Sequence, residues 1–184
     1  SKTSHVETIY LGSGCFWGAE KGYELMDGVI NAESGYANGY GIKPNYRSII
    51  QFKNKYNEKN FAEVVKVTFN SNAISLENIL KHFFETHDPT QLNRQGNDIG
   101  TQYRSAIFYT NVEQKKKAEE AIKKAEKIYQ NKIQTELSDK LNFFVAEKYH
   151  HNYFLKNPGS IYCNALIPPK LKTLKIKYPN IFKN

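Results

Sequence analysis

The chain has 184 residues, 40% hydrophobic and 14% aromatic, with a formal charge of +8 and two cysteines. That length and apolar content suffice for one packed core, which excludes a disordered chain and removes the need for metal or disulfide staples. No apolar run approaches the length of a membrane span, and residues 1–8 are polar with no signal-peptide core, so a soluble, cytoplasmic protein is expected. The lysines gather at 115–127, interleaved with Glu113, Glu119, Glu120 and Glu126, and in the tail at Lys170, Lys172, Lys175 and Lys177. Both clusters read as solvated surface, not as a nucleic-acid or membrane footprint.

In chain order, residues 6–11 are rich in β-branched and apolar side chains and run into Gly12-Ser13-Gly14, the pattern of a strand and a tight turn. Residues 16–26 have helical character up to Asp27-Gly28, and 29–36 read as a second strand. Residues 35–45, dense in Gly, Asn and Tyr, read as a loop suited to binding. Over 62–69 the alternation is clear: Glu63, Val65, Val67 and Phe69 share one face, and Val64, Lys66 and Thr68 the other. Leu76, Ile79, Leu80, Phe83 and Phe84 have the spacing of an amphipathic helix, capped by Ser75 and stopped by Asp88-Pro89. Residues 91–100 read as a polar loop and 103–109 as a strand. Thr110 and Glu113 have capping-box spacing for a helix to about residue 130. An extended piece at 143–146, a helical stretch at 147–156 and an irregular end complete the chain.

Strand, helix, strand, strand, helix, strand is the order of a split βαβ unit. The expected architecture is therefore α+β: a ferredoxin-like two-layer core with C-terminal helical and irregular additions, one domain over 1–184, and a basic tail from about 165.

Cys15 stands between small residues that would let a substrate approach and a helix whose unpaired N–H groups would favour a thiolate. Most lone cysteines are small buried hydrophobes instead, so position alone leaves its reactivity open. Phe16 and the single tryptophan, Trp17, could form an apolar slot or simply pack in the core. A glutamate on the apolar face of a strand, as at Glu63, would be desolvated and held protonated unless it escapes at the strand end. Cys163, after Asn157-Pro158-Gly159, suits a resolving thiol that attacks an oxidised Cys15, with a structural disulfide as the alternative. His150 and His151 are adjacent and cannot share a helical face, and no metal-ligand spacing, dinucleotide fingerprint or phosphate loop is present.

Gly14-Cys15-Phe16-Trp17-Gly18 resembles the active-site motif of the peptide methionine sulfoxide reductase A family (peptide-methionine (S)-S-oxide reductases). The likeness extends through Gly35-Tyr36-Ala37-Asn38-Gly39, Ala62-Glu63-Val64-Val65, His87-Asp88-Pro89, Arg94-Gln95-Gly96-Asn97-Asp98, Gly100-Thr101-Gln102-Tyr103-Arg104-Ser105 and Tyr162-Cys163. It implies that Cys15 attacks the sulfoxide sulfur, that Phe16 and Trp17 hold the methyl group, and that Glu63 supplies the proton. It also implies that Tyr46 and Tyr103 hydrogen-bond the sulfoxide oxygen, that Asp98 is the active-site aspartate, and that Cys163 closes a disulfide with Cys15. The substrates implied are protein and peptide methionine sulfoxides of the S epimer. No cofactor is implied at the site, and thioredoxin is the expected external reductant of a monomeric enzyme.

The chain departs from the family pattern at Asn60-Phe61, where Gly-His is usual, and at Asn38, where a second glycine is usual. The stretch from Tyr46 to Glu63 is longer than usual, and Cys163 is the sole downstream cysteine, so recycling should pass through one disulfide. Two other readings remain at this stage: a cysteine hydrolase, from the echo of a papain-like signature with His87 or His150 as base, and a thiol sensor without turnover.

Overall fold

The structure, a computed structural model, describes residues 5–40 and 60–146. Tyr46, Cys163, the helix expected at 147–156 and the basic tail lie outside the described residues.

Strand β1 (Val6–Ser13) leads through Gly14 into helix α1 (Phe16–Glu24), then strand β2 (Val29–Ala37). After β3 (Ala62–Asn70) come α2 (Leu76–Glu85), a small hairpin of β4 (Arg94–Gln95) and β5 (Asp98–Ile99), a 3₁₀ turn (Thr101–Tyr103) and β6 (Ser105–Tyr109). The long α3 (Val112–Tyr129) is followed by β7 (Glu136–Asp139) and β8 (Phe143–Val145).

Six strands form one mixed sheet in the order β7-β6-β1-β3-β2-β8, antiparallel throughout except for the parallel pair β6–β7. The period-two pattern of β3 decides what each face does. Ile9, Leu11, Val65, Val67, Phe69 and Ile107 pack with side chains of all three helices in one cluster, so the helices cover a single face. Tyr10, Val64, Ala106 and Phe108 point the other way and are covered by Phe143, whose ring lies 5.0 Å from that of Tyr10. Each fully buried aliphatic or aromatic side chain contributes about 1.5–3 kcal/mol, so this two-sided burial is the main source of stability.

Helix α2 forms as its spacing predicts: Ser75 Oγ accepts the Asn78 N–H at 3.1 Å, and Ile79, Leu80 and Phe83 are fully buried. Its last helical residue is Glu85, with Thr86 at the C-cap, so it ends before Asp88-Pro89. The N-cap of α3 is Asn111, one residue beyond the Thr110 that capping-box spacing suggests. Asn111 Oδ1 accepts the Gln114 N–H at 2.9 Å, and Gln114 Oε1 reaches back to the Thr110 N–H at 2.8 Å. The cap is thus a variant of the reciprocal one: Asn serves as N-cap, and Gln114 reaches back one residue further, to Thr110, because Asn caps at least as well as Thr and the Gln side chain is long enough to span the turn.

Three further differences concern the segments around the site. Gly35 and Tyr36, where the expected strand and loop overlap, belong to β2, and the strand runs one residue further to Ala37, because the three pair with Val64, Glu63 and Ala62 of β3. The polar run 91–100 contains the β4–β5 hairpin, and Tyr103 lies in the 3₁₀ turn before the strand expected to begin with it. Strand β7 had no clear sequence signal. A parallel edge strand of four half-exposed residues lacks the alternation that marked β3.

Asn38 shows what its side chain adds where a glycine is usual. Its φ is 55°, the left-handed region that Asn tolerates better than most residues. Its Nδ2 donates to the Asp139 carbonyl at 2.9 Å, and its Oδ1 accepts the Leu141 N–H at 2.8 Å. The turn between β7 and β8 is thereby fastened to the end of β2.

Candidate active site

The turn that presents Cys15 is set by Gly14, which has φ 94°, a conformation costly for any residue with a side chain. Space excludes one as well: an ideal Cβ on Gly14 would lie 2.8 Å from Cβ of Gln95. Cys15 then takes the N-cap position of α1 with an extended backbone, half-buried, beside the N–H groups of the first turn. Phe16 is buried and Trp17 partly so, with ring centroids 6.5 Å apart. The first helical turn thus puts two aromatic rings beside the sulfur.

Helix α1 is tied to the sheet at two points. Glu20, buried one turn further on, accepts the Ser34 N–H of β2 at 3.0 Å. The Phe16 N–H donates to Glu63 Oε1 at 3.4 Å. The second bond joins the residue following Cys15 to the carboxyl group the sequence singled out.

Glu63 is 1% exposed, on the helix side of β3, as its parity with Val65, Val67 and Phe69 predicts. Burial pushes its carboxyl up to about 8 from an ordinary 4.5; the Phe16 N–H partly opposes this, and the negative charge of Asp98 adds to it. Its Oε2 is buried and has no hydrogen-bond partner among the described residues. A carboxyl group in that state carries its proton at neutral pH.

Tyr36 stands opposite Glu63 in the β2–β3 register, fully buried, its ring 5.6 Å from that of Phe16. In the sequence Tyr36 is legible only as part of a motif; its place in the packing beneath the site depends on the β2–β3 register. The departure at Asn60-Phe61 is accommodated at the start of β3. Phe61 packs edge-on against Phe144 and fills the space beside Gly39, where a Cβ would come within 2.3 Å of its ring.

The far wall comes from residues 87–105. His87 Nδ1 donates to the Phe83 carbonyl at 2.6 Å, and its Nε2 lies 2.8 Å from Ser105 Oγ. With both ring nitrogens engaged in the structure, His87 is not placed to serve Cys15 as a hydrolase base. Arg104, buried, donates to the carbonyls of Thr101 and Asn60 at 2.9 and 3.0 Å and to Glu136 at 2.9 Å. Its guanidinium therefore braces the turn that carries Tyr103 against the start of the strand that carries Glu63. Arg104 was legible only as part of a motif, since nothing in sequence spacing places a guanidinium between those carbonyls.

Of the residues singled out from sequence, Phe16, next to Cys15, bonds Glu63, and the charge of Asp98 acts on Glu63, with Trp17 beside Phe16 and Tyr103 on the braced turn. Among the described residues no group of three or more His, Cys, Asp or Glu is arranged to hold a metal ion, and no helix is long and apolar enough to cross a membrane. A cleft of about 760 Å³ lies between α2 and α3, lined by residues such as Lys81, Phe84, Ala121 and Ile128, none of which contributes to the Cys15 environment.

Comparison with known proteins shows the family. The family model for peptide methionine sulfoxide reductase matches residues 7–180. The peptide methionine sulfoxide reductase MsrA of Trichodesmium erythraeum is 48% identical over 177 residues, which cover 95% of this chain and 97% of that protein. Among solved structures, Mxr1 from Saccharomyces cerevisiae in reduced form superposes with a TM-score of 0.75 at 32% identity, covering 85% of this chain and 88% of that one. Mxr1 in complex with Trx2 gives a TM-score of 0.56 at 25% identity, covering 83% and 87%. The chain belongs to the peptide methionine sulfoxide reductase family, oxidoreductases that return methionine sulfoxide in peptides to methionine.

Proposed function

We propose that Cys15 is the nucleophile and Glu63 the proton donor in reduction of the S epimer of methionine sulfoxide in proteins and peptides. The observation that carries this reading is the buried carboxyl of Glu63, bonded by the N–H of the residue after Cys15, in surroundings whose low polarity favours the protonated form. A sulfoxide oxygen is a poor leaving group until it is protonated, and a carboxyl that keeps its proton at neutral pH can do this beside a thiolate without adding a second negative charge.

The methyl group rests against Phe16 and Trp17 while the Cys15 thiolate attacks sulfur and Glu63 gives its proton to the oxygen. Sulfur gains two electrons and leaves as methionine, and Cys15 loses two and carries the oxygen as sulfenic acid. Asp98 and Tyr103 shape the oxygen side of the site. Tyr46 and Cys163 are assigned by the family resemblance: Tyr46 hydrogen-bonds the oxygen, and the Cys163 thiol displaces water from the sulfenic acid to form a disulfide.

A thioredoxin-type protein then reduces that disulfide, a role supported by the yeast relative's complex with Trx2. The chain works as a monomer in the cytoplasm, with no bound cofactor and with neither nucleic acid nor membrane as partner.

The test is stoichiometric. Reduced protein mixed with an S-epimer methionine sulfoxide peptide and no reductant should yield about one methionine per chain, with both thiols consumed. Cys15→Ser should yield none. Methionine formed by Cys15→Ser above background, or none formed by folded, reduced wild type, contradicts the reading.

A further inference from the structure

Gln95 and Asp98 face each other across the β4–β5 hairpin, separated by the two-residue turn Gly96-Asn97 with Gly96 at φ 60°. The Gln95 amide bonds Asp88 at both backbone groups: Oε1 accepts the Asp88 N–H at 2.9 Å, and Nε2 donates to the Asp88 carbonyl at 2.9 Å. Its Cβ and Cγ occupy the space above Gly14, 2.8 and 2.9 Å from where a Cβ would stand. Two other bonds, from the Gly96 N–H to Gln91 Oε1 at 2.7 Å and from the Gly100 N–H to the Asn93 carbonyl at 2.9 Å, hold the hairpin to its own stem. The Gln95 side chain joins it to Asp88 and packs it against the turn that presents Cys15.

We propose that Gln95 is a positioning residue for the reduction: held between Asp88 and the Gly14 turn, it docks the hairpin and fixes the separation between Asp98 and Glu63. This rests on the reading of Glu63 as proton donor. Coulomb interaction falls with distance and rises as water is excluded, so a hairpin that lifts away weakens the hold of the Asp98 charge on the Glu63 proton. Among the described residues, the titratable and charged groups on the elements around Glu63 include Cys15 at the N-cap of α1, buried Glu20 on α1, Tyr36 on β2, Asp98 on β5, and Tyr103 and Arg104 on the turn into β6. Of these, Asp98 is the one whose charge raises Glu63.

The experiment measures single-turnover methionine formation against pH for wild type, Gln95→Met, Asp98→Asn and the double variant. Gln95→Met keeps the methylenes over Gly14 and removes both amide bonds. It is expected to lower the neutral-pH rate about tenfold or more, as small misplacements near reacting groups do, and to move the alkaline limb to lower pH. In the Asp98→Asn background the same substitution should move the limb no further, because the charge it acts through is gone.

Gln95→Asn, too short to span to Asp88 while keeping an amide, should reproduce the displacement. Limbs unmoved in both Gln95 variants, an equal displacement without Asp98, or activity lost only in proportion to folded protein overturns the proposal. A wild-type profile with no limb near pH 8 removes the Glu63 reading and this inference with it. A wild-type limb that Gln95 does not influence removes the inference alone.

Discussion

Glu63 Oε1 accepts the backbone N–H of Phe16, so the group that holds the proton and the residue next to the sulfur share a hydrogen bond of 3.4 Å. Because Phe16 opens helix α1, any shift of the helix that moves Cys15 also moves this donor relative to the carboxyl. The pair behaves as one unit.

The first consequence is a pH limit on chemistry. With its carboxyl pushed up to about 8, Glu63 is protonated below that pH and loses its proton above it. Single-turnover methionine formation should fall as pH rises through this region, tenfold per unit well above it. Glu63→Gln should remove the limb and slow the step by on the order of 10² or more, the usual scale for a general acid. Stopped-flow quench with detection of methionine checks both, and an unchanged rate in Glu63→Gln would point to another proton donor.

Stability should respond to the same group. An unfolded chain releases the Glu63 proton near 4.5, whereas the folded one keeps it to about 8. Between those values the folded state binds more protons, so the contribution of Glu63 to stability is complete below 4.5, declines as pH rises through the window and is gone above it. Glu63→Gln avoids the cost of taking up a proton on folding and should be more stable than wild type at pH 7, by on the order of 3 kcal/mol. Urea unfolding at pH 5 and pH 8.5 checks this: wild type should weaken at the higher pH and the variant should not. A wild type equally stable at both would refute it.

Asn38 separates backbone from side-chain effects. Asn38→Gly keeps the left-handed conformation at φ 55° and loses the bonds to Asp139 and Leu141, which should cost about 1–2 kcal/mol. Asn38→Ala loses the same bonds and strains the backbone as well, and should cost about 1 kcal/mol more. Equal unfolding midpoints for the two variants would show that backbone conformation contributes nothing there.

The parts of the fold legible in the sequence were those with a period. Strand β3 declared itself by alternation, which placed Glu63 on the buried face, and α2 by its apolar stripe and Ser75 cap. What escaped was set by partners distant in the chain. Tyr36 became part of the site's floor because it pairs with Glu63, and the β4–β5 hairpin formed in a run whose composition reads only as polar. The capping residue of α3 was missed by one position because Thr110-Asn111 offers two candidate caps and Gln114 serves either geometry. The site followed the same division. Cys15, Phe16 and Glu63 stand out by local pattern and resemblance, whereas the bracing by Arg104, Glu20 and Gln95 depends on contacts across the sheet or between loops.

The strand order also bears on how the molecule assembles. Strand β1, made before its neighbours and carrying the turn to Cys15, is flanked by β3 and β6: Ile9 pairs with Val67, and Gly12 with Ala106. Neither neighbour is local, so a large loop-closure entropy must be met before the first strand is enclosed, and such topologies fold slowly. During synthesis Cys15, the proposed nucleophile, therefore emerges before β3 and β6 and gains its surroundings only after both have followed. Until then it is an ordinary thiol on an open strand, and its reactivity is a property of the completed sheet.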